Sequence, residues 1–320
     1  MDKPTKKNVS DVRRIRNLVY TIFLLISVLV ADTTAGDVDE KCSADGVSED
    51  LKEYYSKAGH YDELWGEGNI GLGFYPHLDP SSGSKIILGF SQASIGLTER
   101  MIETAAIRKT DRVLDLGSGK GLACLTIARN TGAHCTGIDL TPANIARSIE
   151  LAETEPELDV RYFVGSFTDL PAEVLADGQY DVVITRVAFC HVHAMLTDVF
   201  GQVVRAVKPG TGRAIINDFM GGDGEISAAT VENVYKRMHF EILMGPIDWR
   251  RAADDAGLTL MRYEDLTEHL TLGYSQLETA AREARILNAD GALLADNYRE
   301  TAASARRREI TMNLALYSVL

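Results

Sequence analysis

In the stretch RVLDLGSGKGLACLTIARNTGAHCTGIDLT, Arg112 to Thr141, two acids and three glycines are spaced to hold a nucleotide or a nucleoside. It reads as a strand, a glycine turn, a helix and a second strand. A phosphate-cradling GxxxxGK turn needs Ser or Thr after its lysine to hold magnesium. Lys120 is followed by Gly121 and Leu122, so that chemistry is excluded. A dinucleotide turn needs its third glycine three residues after the second, for close helix–strand packing. That position is Leu122 here, because Gly117, Gly119 and Gly121 run as GxGxG, which weakens the case for a nicotinamide-dependent dehydrogenase. An acid just ahead of a GxGxG turn suits another ligand. Asp115 can accept a hydrogen bond from an ammonium group, and Gly117, Ser118, Gly119 and Gly121 let backbone approach a small amino-acid moiety. Roughly twenty residues on, Asp139 ends the next strand, where a carboxylate can grip both ribose hydroxyls. Leu140 would then lie against an adenine. A strand-end acid alone often only caps a turn. Two of them with the glycines between point to S-adenosylmethionine.

Such a turn needs a parallel sheet to carry it, and the chain alternates accordingly. Strands are expected at Val113–Leu116, His134–Ile138, Val160–Val164, Tyr180–Thr185, Arg213–Asp218 and Leu258–Leu266, with a last one in EITMNLALYSVL at the C-terminus. Helices are expected at Leu122–Asn130, Pro142–Glu153, Ala194–Val207 and Ile247–Ala256, with a helical insertion within 222–257 and further helix up to about Arg306. Apolar strands alternating with helices predict an α/β fold whose parallel sheet is covered on both faces. Ahead of it, Leu51–Leu64 and Ile95–Ala106 read as helices around a glycine-rich loop, Trp65 to Ser84, forming an N-terminal lid over 41–106. The catalytic domain would then span 107–320.

The composition is that of a globular chain: 320 residues, 45% hydrophobic and 25% charged. A formal charge of −13 without a basic stripe argues against a nucleic-acid partner and for a small-molecule substrate. The N-terminus differs. Lys3, Lys6, Lys7, Arg13, Arg14 and Arg16 precede an apolar run from Leu18 to Ala31, followed by Thr34, Ala35 and Gly36. That run is short for a spanning helix of about 20 residues and has the layout of a secretory signal peptide. An uncleaved anchor is the alternative, and would be the chain's only tie to a membrane. Residues 1–40 are therefore set apart as a signal or anchor, targeting the protein to the secretory pathway or an organelle. The four cysteines show no CxxC pair and no metal-ligand spacing, so no metal is implied. Cys124, Cys135 and Cys190 are expected as separate buried thiols.

The segments VLDLGSGKGLACLTIA, HCTGIDLT, VGSFTDLP, YDVVITRVAFCHVH and VVRAVKPGTGRAIINDFM resemble the successive motifs of class I methyltransferases. The resemblance is nearest to the glycine/sarcosine/dimethylglycine N-methyltransferases that form betaine. It extends over about residues 51–320, through Trp65–Tyr75, Gly165–Pro171, Val187–Val192, Ile216–Met220 and Glu264–Tyr274. It implies a Rossmann-like, seven-stranded, mostly parallel sheet, S-adenosylmethionine as methyl donor, and a monomer or homodimer. Ser166 and Phe167 would lie beside the adenine, Ser166 near its amino edge. Four departures stand out: Gly71 and Arg186 replace a histidine and a neutral polar residue of the family pattern, Val192 replaces the serine after His191, and Phe219 replaces a proline.

Arg186 falls at the sheet edge where open α/β folds bind ligands, and a cation there could clamp a carboxylate. It is expected to touch cofactor or acceptor. His191, a little further on, is the candidate base. Tyr61, Trp65 and Tyr75 could enclose an onium product by cation–π attraction, Tyr75 counting with His191 and Arg186 among the catalytic candidates, and Asp218, Met220 and Tyr274 could line the acceptor end. Methyl transfer from a sulfonium is an in-line displacement driven by positioning and exclusion of water. An amine must arrive deprotonated and so gains from a base, whereas a thioether needs none. The readings are thus N-methylation of glycine, sarcosine or dimethylglycine, or S-methylation of a methylthio-hydroxybutyrate-type acid, each leading to an osmolyte. A non-catalytic, membrane-tethered nucleotide-binding protein is the alternative of another class.

Overall fold

The computed structural model describes residues 60–319 except 80, 177, 223, 224 and 289. The basic and apolar N-terminal segment, Cys42 and most of the expected Leu51–Leu64 helix lie outside the described residues. Seven strands form one sheet: β1 Arg112–Leu116, β2 His134–Asp139, β3 Val160–Val164, β4 Val182–Arg186, β5 Arg213–Gly221, β6 Leu258–Asp265 and β7 Ile310–Val319. Their order is β3-β2-β1-β4-β5-β7-β6, with β7 antiparallel to both neighbours and β1–β5 pairing in parallel. This is the expected mostly parallel sheet. The order reverses beside β1, so the carboxyl ends of β1 and β4 open a crevice between them, the usual ligand position in such sheets.

The helices are α1 His60–Trp65, α2 Phe90–Ala105, α3 Leu122–Thr131, α4 Pro142–Glu153, α5 Ala172–Leu175, α6 Leu196–Ala206, a short α7 Ala228–Thr230 running into a π-helical turn Val231–Lys236, α8 Pro246–Asp255, α9 Thr267–Ala284 and α10 Leu294–Arg306. β1 and β4 are buried along almost their whole length, which is why their sequences are nearly continuous apolar runs rather than alternating ones. On one face Val113, Ile184, Ile215 and Leu314 pack with α2, α3, α9 and α10. On the other, Leu114, Val183, Ile216 and Ala315 pack with α6 and α8. The helix expected at Ile247–Ala256 is α8, and Trp249 at its centre sits 5.6 Å from Phe200 of α6. It is therefore a layer helix and not part of an inserted segment. The larger addition is the α9–α10 hairpin between β6 and β7.

One expectation is corrected by the pairing of β1 with β2. Cys124 on α3 and Cys135 on β2 are joined as a disulfide, their Cα atoms 5.4 Å apart. Only Cys190 is a free, buried thiol among the described cysteines. Bonds of this kind persist in oxidising compartments.

Gly137, mid-strand in β2, lies directly beneath the glycine turn. A Cβ there would approach Ser118 Cβ and Oγ to 2.8 Å and Tyr162 Cδ1 to 2.7 Å, so the turn can rest on the strand only if this side chain is missing. Gly137→Ala should destabilise the fold by about 1–3 kcal/mol, the usual cost of overpacking. It should also weaken cofactor binding by lifting Ser118. Urea unfolding and a cofactor titration on the same variant check both; unchanged midpoint and affinity would show that the turn has room to move.

Candidate active site

The turn between β1 and α3 is built from three left-handed glycines, with φ of 75° at Gly117, 53° at Gly119 and 88° at Gly121, a region L side chains avoid. Its amides are anchored on the end of β2. Gly117 N and Ser118 N both donate to the Ile138 carbonyl at 2.9 Å, and Gly119 N donates to Asp139 Oδ2 at 2.9 Å. Asp139 Oδ1 accepts from Thr141 N and Asn144 Nδ2. On the far side, Ser148 Oγ of α4 donates to Gly119 O, and the Tyr162 hydroxyl to Gly121 O. Asp139 thus holds the turn as well as facing the crevice. Burial raises its pKa, offset by the hydrogen bonds it accepts.

Above this turn lies an open cleft. Gly117, Asp139, Leu140, Ser166, Phe167, Arg186 and His191 line it. Asp115 and Ser118 line a smaller adjoining cavity, together with Gly117 and Arg186. Gly119 and Gly121 shape the turn but line neither. The cleft therefore gathers an acid placed for a ribose and the apolar side chains of Leu140 and Phe167, with a second acid in the adjoining cavity beside the glycines. Ser166 Oγ is within 2.7 Å of Thr168 Oγ1 and accepts from Thr168 N, which holds the loop after β3 in place. Asp115 is fully buried, and its Oδ1 has no hydrogen-bond partner. Burial pushes its pKa up to about 7, and the charge of Arg186 offsets part of that rise.

Val192, one of the departures from the family pattern, lines the wall, and Ile70, Thr141, Asn144, Val187 and Ala188, which residue type alone did not mark, complete it. Val187 is held at φ 55°, a conformation a β-branched residue adopts only under tertiary constraint. Its N–H donates to Asn217 O at 2.8 Å, and nothing in the residue type signals that.

His191 lies in a 3₁₀ turn, Phe189–His191, just after β4. Burial, with the nearby His239 charge, pushes its pKa down to about 4, so at neutral pH the imidazole is uncharged. Asp218 does not reach the cleft. It is buried behind this turn, accepting from Phe189 N at 2.8 Å, Cys190 N at 3.3 Å and Phe219 N at 2.7 Å. Its position on β5 points it to the opposite sheet face from Arg186, and it shapes the loop that carries His191. Met220 is buried on that same opposite face.

The aromatic residues expected around an acceptor are also elsewhere. Trp65 donates from Nε1 to Tyr298 OH and packs edge-on against Phe90 and Tyr274. Tyr274 is buried among them with its hydroxyl 3.6 Å from Met238 Sδ. Tyr75 donates to Gln276 Oε1 at 2.9 Å, while its own amide donates to His269 Nδ1. These rings fasten the pre-domain loop to the α9–α10 hairpin, an apolar-burial role their residue types serve equally well. The Tyr61 side chain lies outside the described residues. Arg186 departs from expectation as well: both terminal nitrogens are engaged by Thr98 Oγ1, Leu72 O and Ser94, which leaves no bidentate face for an acceptor's carboxylate.

A parallel sheet with a GxGxG turn, two strand-end acids and a cleft over both defines the class I, S-adenosylmethionine-binding methyltransferase fold. Residues 113–210 match the family described as "Methyltransferase domain", so this segment is a methyltransferase domain. It is 29% identical over 232 residues to glycine/sarcosine/dimethylglycine N-methyltransferase of Actinopolyspora halophila, covering 71% of this chain and 38% of that protein. It is 30% identical over 183 residues to the chloroplastic tocopherol O-methyltransferase of Arabidopsis thaliana, covering 54% and 50%. The chain thus spans half or less of the length of these two relatives. Among solved structures, geranyl diphosphate C-methyltransferase from Streptomyces coelicolor A3(2), in complex with Mg2+, geranyl diphosphate and S-adenosyl-L-homocysteine, superposes with a TM-score of 0.67 at 17% identity. That match covers 85% of this chain and 97% of the other.

Two outcomes follow for the cofactor. Asp139→Ala removes charge-assisted hydrogen bonds to a ribose worth about 1.5–3 kcal/mol, so calorimetry should show S-adenosylhomocysteine binding weakened roughly 10- to 150-fold. An unchanged constant in a folded variant would remove Asp139 from the ribose. An ammonium arriving beside Asp115 favours its carboxylate form. With the free-protein pKa near 7, binding below that pH must expel a proton and affinity should climb as pH rises through it. Titrations at about pH 6 in two buffers of different ionisation enthalpy should report release approaching one proton, fading by about pH 8. Equal enthalpies in both buffers would mean Asp115 is already ionised.

Proposed function

We propose that the protein transfers a methyl group from S-adenosylmethionine to the nitrogen of a small, carboxylate-bearing amine, in the series glycine, sarcosine and dimethylglycine. The observation that carries this reading is His191, an uncharged imidazole lining the same cleft as Gly117 and Asp139. An amine acceptor is a nucleophile only in its uncharged form, and a neutral imidazole on the cleft wall can accept a hydrogen bond from that amine and so aim its lone pair at the methyl carbon. The relative from Actinopolyspora halophila, named for the three amines, supports the same acceptor class. The donor supplies the electrophilic methyl carbon. The chain's part is to bind the nucleoside through Asp139, Leu140 and Phe167, and to hold the acceptor in line with water excluded by Ile70, Val187 and Val192.

The wall at that end also favours a second reading. Ile70, Val187, Ala188 and Val192 are apolar, and Arg186 is engaged with neighbouring groups. An acceptor with a larger apolar part, such as a methylthio acid methylated on sulfur, fits such a wall and has no N–H for His191 to accept from. The tocopherol-methylating relative is consistent with apolar acceptors on this fold.

Transfer of labelled methyl from S-adenosylmethionine to glycine, sarcosine, dimethylglycine and methylthio-hydroxybutyrate tests the two. The N-methyl reading expects turnover with at least one amine, and in His191→Ala a kcat lower by about 10²-fold with cofactor affinity unchanged. Turnover of the thioether alone, unaffected by His191→Ala, would replace it with the sulfur reading. Cofactor binding without turnover of any acceptor, across a wider panel that includes phenols, would leave a binding protein.

A further inference from the structure

Arg186 ends β4 only 9% exposed, and its recorded hydrogen-bond partners are all neutral. Nη1 donates to Thr98 Oγ1 at 2.8 Å, and Nη2 to Ser94 Oγ at 2.8 Å, Leu72 O at 3.1 Å and Ser94 O at 3.2 Å. Nε is buried with no partner. Asp115 lines the same small cavity beside the glycine turn, and its Oδ1 is buried without a partner too. A cation and an anion thus border one cavity, each with an unused hydrogen-bonding atom, and no hydrogen bond joins them. Buried charges are costly unless paired and hydrogen-bonded. A group carrying an ammonium and a carboxylate on one carbon would complete both at once.

The same guanidinium holds the loop over the cleft. Leu72 O is one of its acceptors. Ser94 Oγ, which accepts from Nη2, is also within hydrogen-bonding distance of Asn69 Oδ1, and Asn69 Oδ1 accepts from Gly71 N. Ile70, between them, reaches over the turn, its Cδ1 2.5 Å from where a Cβ on Gly119 would stand. Residue 71 must be glycine for this arrangement, because a Cβ would stand 2.5 Å from Arg186 Nη2 and 2.9 Å from Cζ.

We propose that Arg186 receives the carboxylate of the cofactor's amino-acid end, opposite Asp115 on its ammonium, and so fastens loop 69–72 over the bound methyl donor. The proposal rests on the cofactor and not on the identity of the acceptor. Both strong donors at Nη1 and Nη2 stay on the protein, and Nε supplies the new bond. Occupancy of the amino-acid subsite then closes the cleft before chemistry.

The test is a calorimetric series on the unaltered protein with S-adenosylmethionine, decarboxylated S-adenosylmethionine and 5′-methylthioadenosine, which lacks the whole amino-acid group. Removing the carboxylate should weaken binding roughly 10- to 150-fold, the span of one hydrogen bond to a charged group. In Arg186→Met, and in Gly71→Ala where the guanidinium is displaced, that ratio should fall to about threefold or less. Amide exchange in 69–72 should slow with S-adenosylmethionine and stay fast with 5′-methylthioadenosine. Equal affinity for the first two ligands in the unaltered protein, or a folded Arg186→Met that keeps the full ratio, would overturn the proposal while binding of 5′-methylthioadenosine left the cofactor reading standing. No binding of any of the three would overturn both.

Discussion

The cleft hangs from one carbonyl. Ile138 O takes the amides of both Gly117 and Ser118, and the neighbouring Asp139 takes that of Gly119. Three successive donors of the turn between β1 and α3 are thereby tied to the end of β2 rather than to their own strand. This works because the two strands are parallel and adjacent, with Asp115 opposite Gly137 and Leu116 opposite Ile138. It also explains the composition of both segments. The turn needs residues that accept positive φ, and the strand beneath it needs a residue without a side chain.

A second buried carboxylate organises the other half of the cleft in the same way. Asp218 accepts from two backbone amides of the His191 turn, Phe189 N and Cys190 N, and from Phe219 N beside it on β5. Burial pushes its pKa up to about 7, which the accepted hydrogen bonds only partly offset. Fixing this loop from behind is what lets Val187 be held left-handed and His191 be brought to the cleft wall. Both sides of the site thus use a buried acid as a backbone anchor, Asp139 at the end of β2 and visible from the cleft, Asp218 within β5 and hidden from it.

The alternation of strand and helix made the sheet and its ligand edge legible, and the spacing of Asp115, the three glycines and Asp139 made the cofactor legible. Those signals are local, carried by residues within one strand–turn–helix–strand unit. What the residue types did not disclose depends on which sheet face a side chain meets. Asp218 and Asn217 are consecutive, yet face opposite sides. Trp65, Tyr75 and Tyr274 have the chemistry of an onium cage, but they meet Tyr298, Gln276 and Met238 from helices about two hundred residues of chain away in two of the three cases, a proximity that only loop closure over long distances creates. The bond between Cys124 and Cys135 was hidden for a similar reason: α3 and β2 become neighbours only once the unit folds back on itself.

The contact between Gly71 and Arg186 also bears on how this site could have arisen. The two positions differ together from the family pattern, which has a histidine in the loop and a neutral polar residue on the strand. With the arginine in place there is no room for any side chain at 71, and with a histidine there the guanidinium could not occupy its present position. Among related sequences the pair should behave as a single inherited character, sorting them into two lineages more sharply than overall identity does.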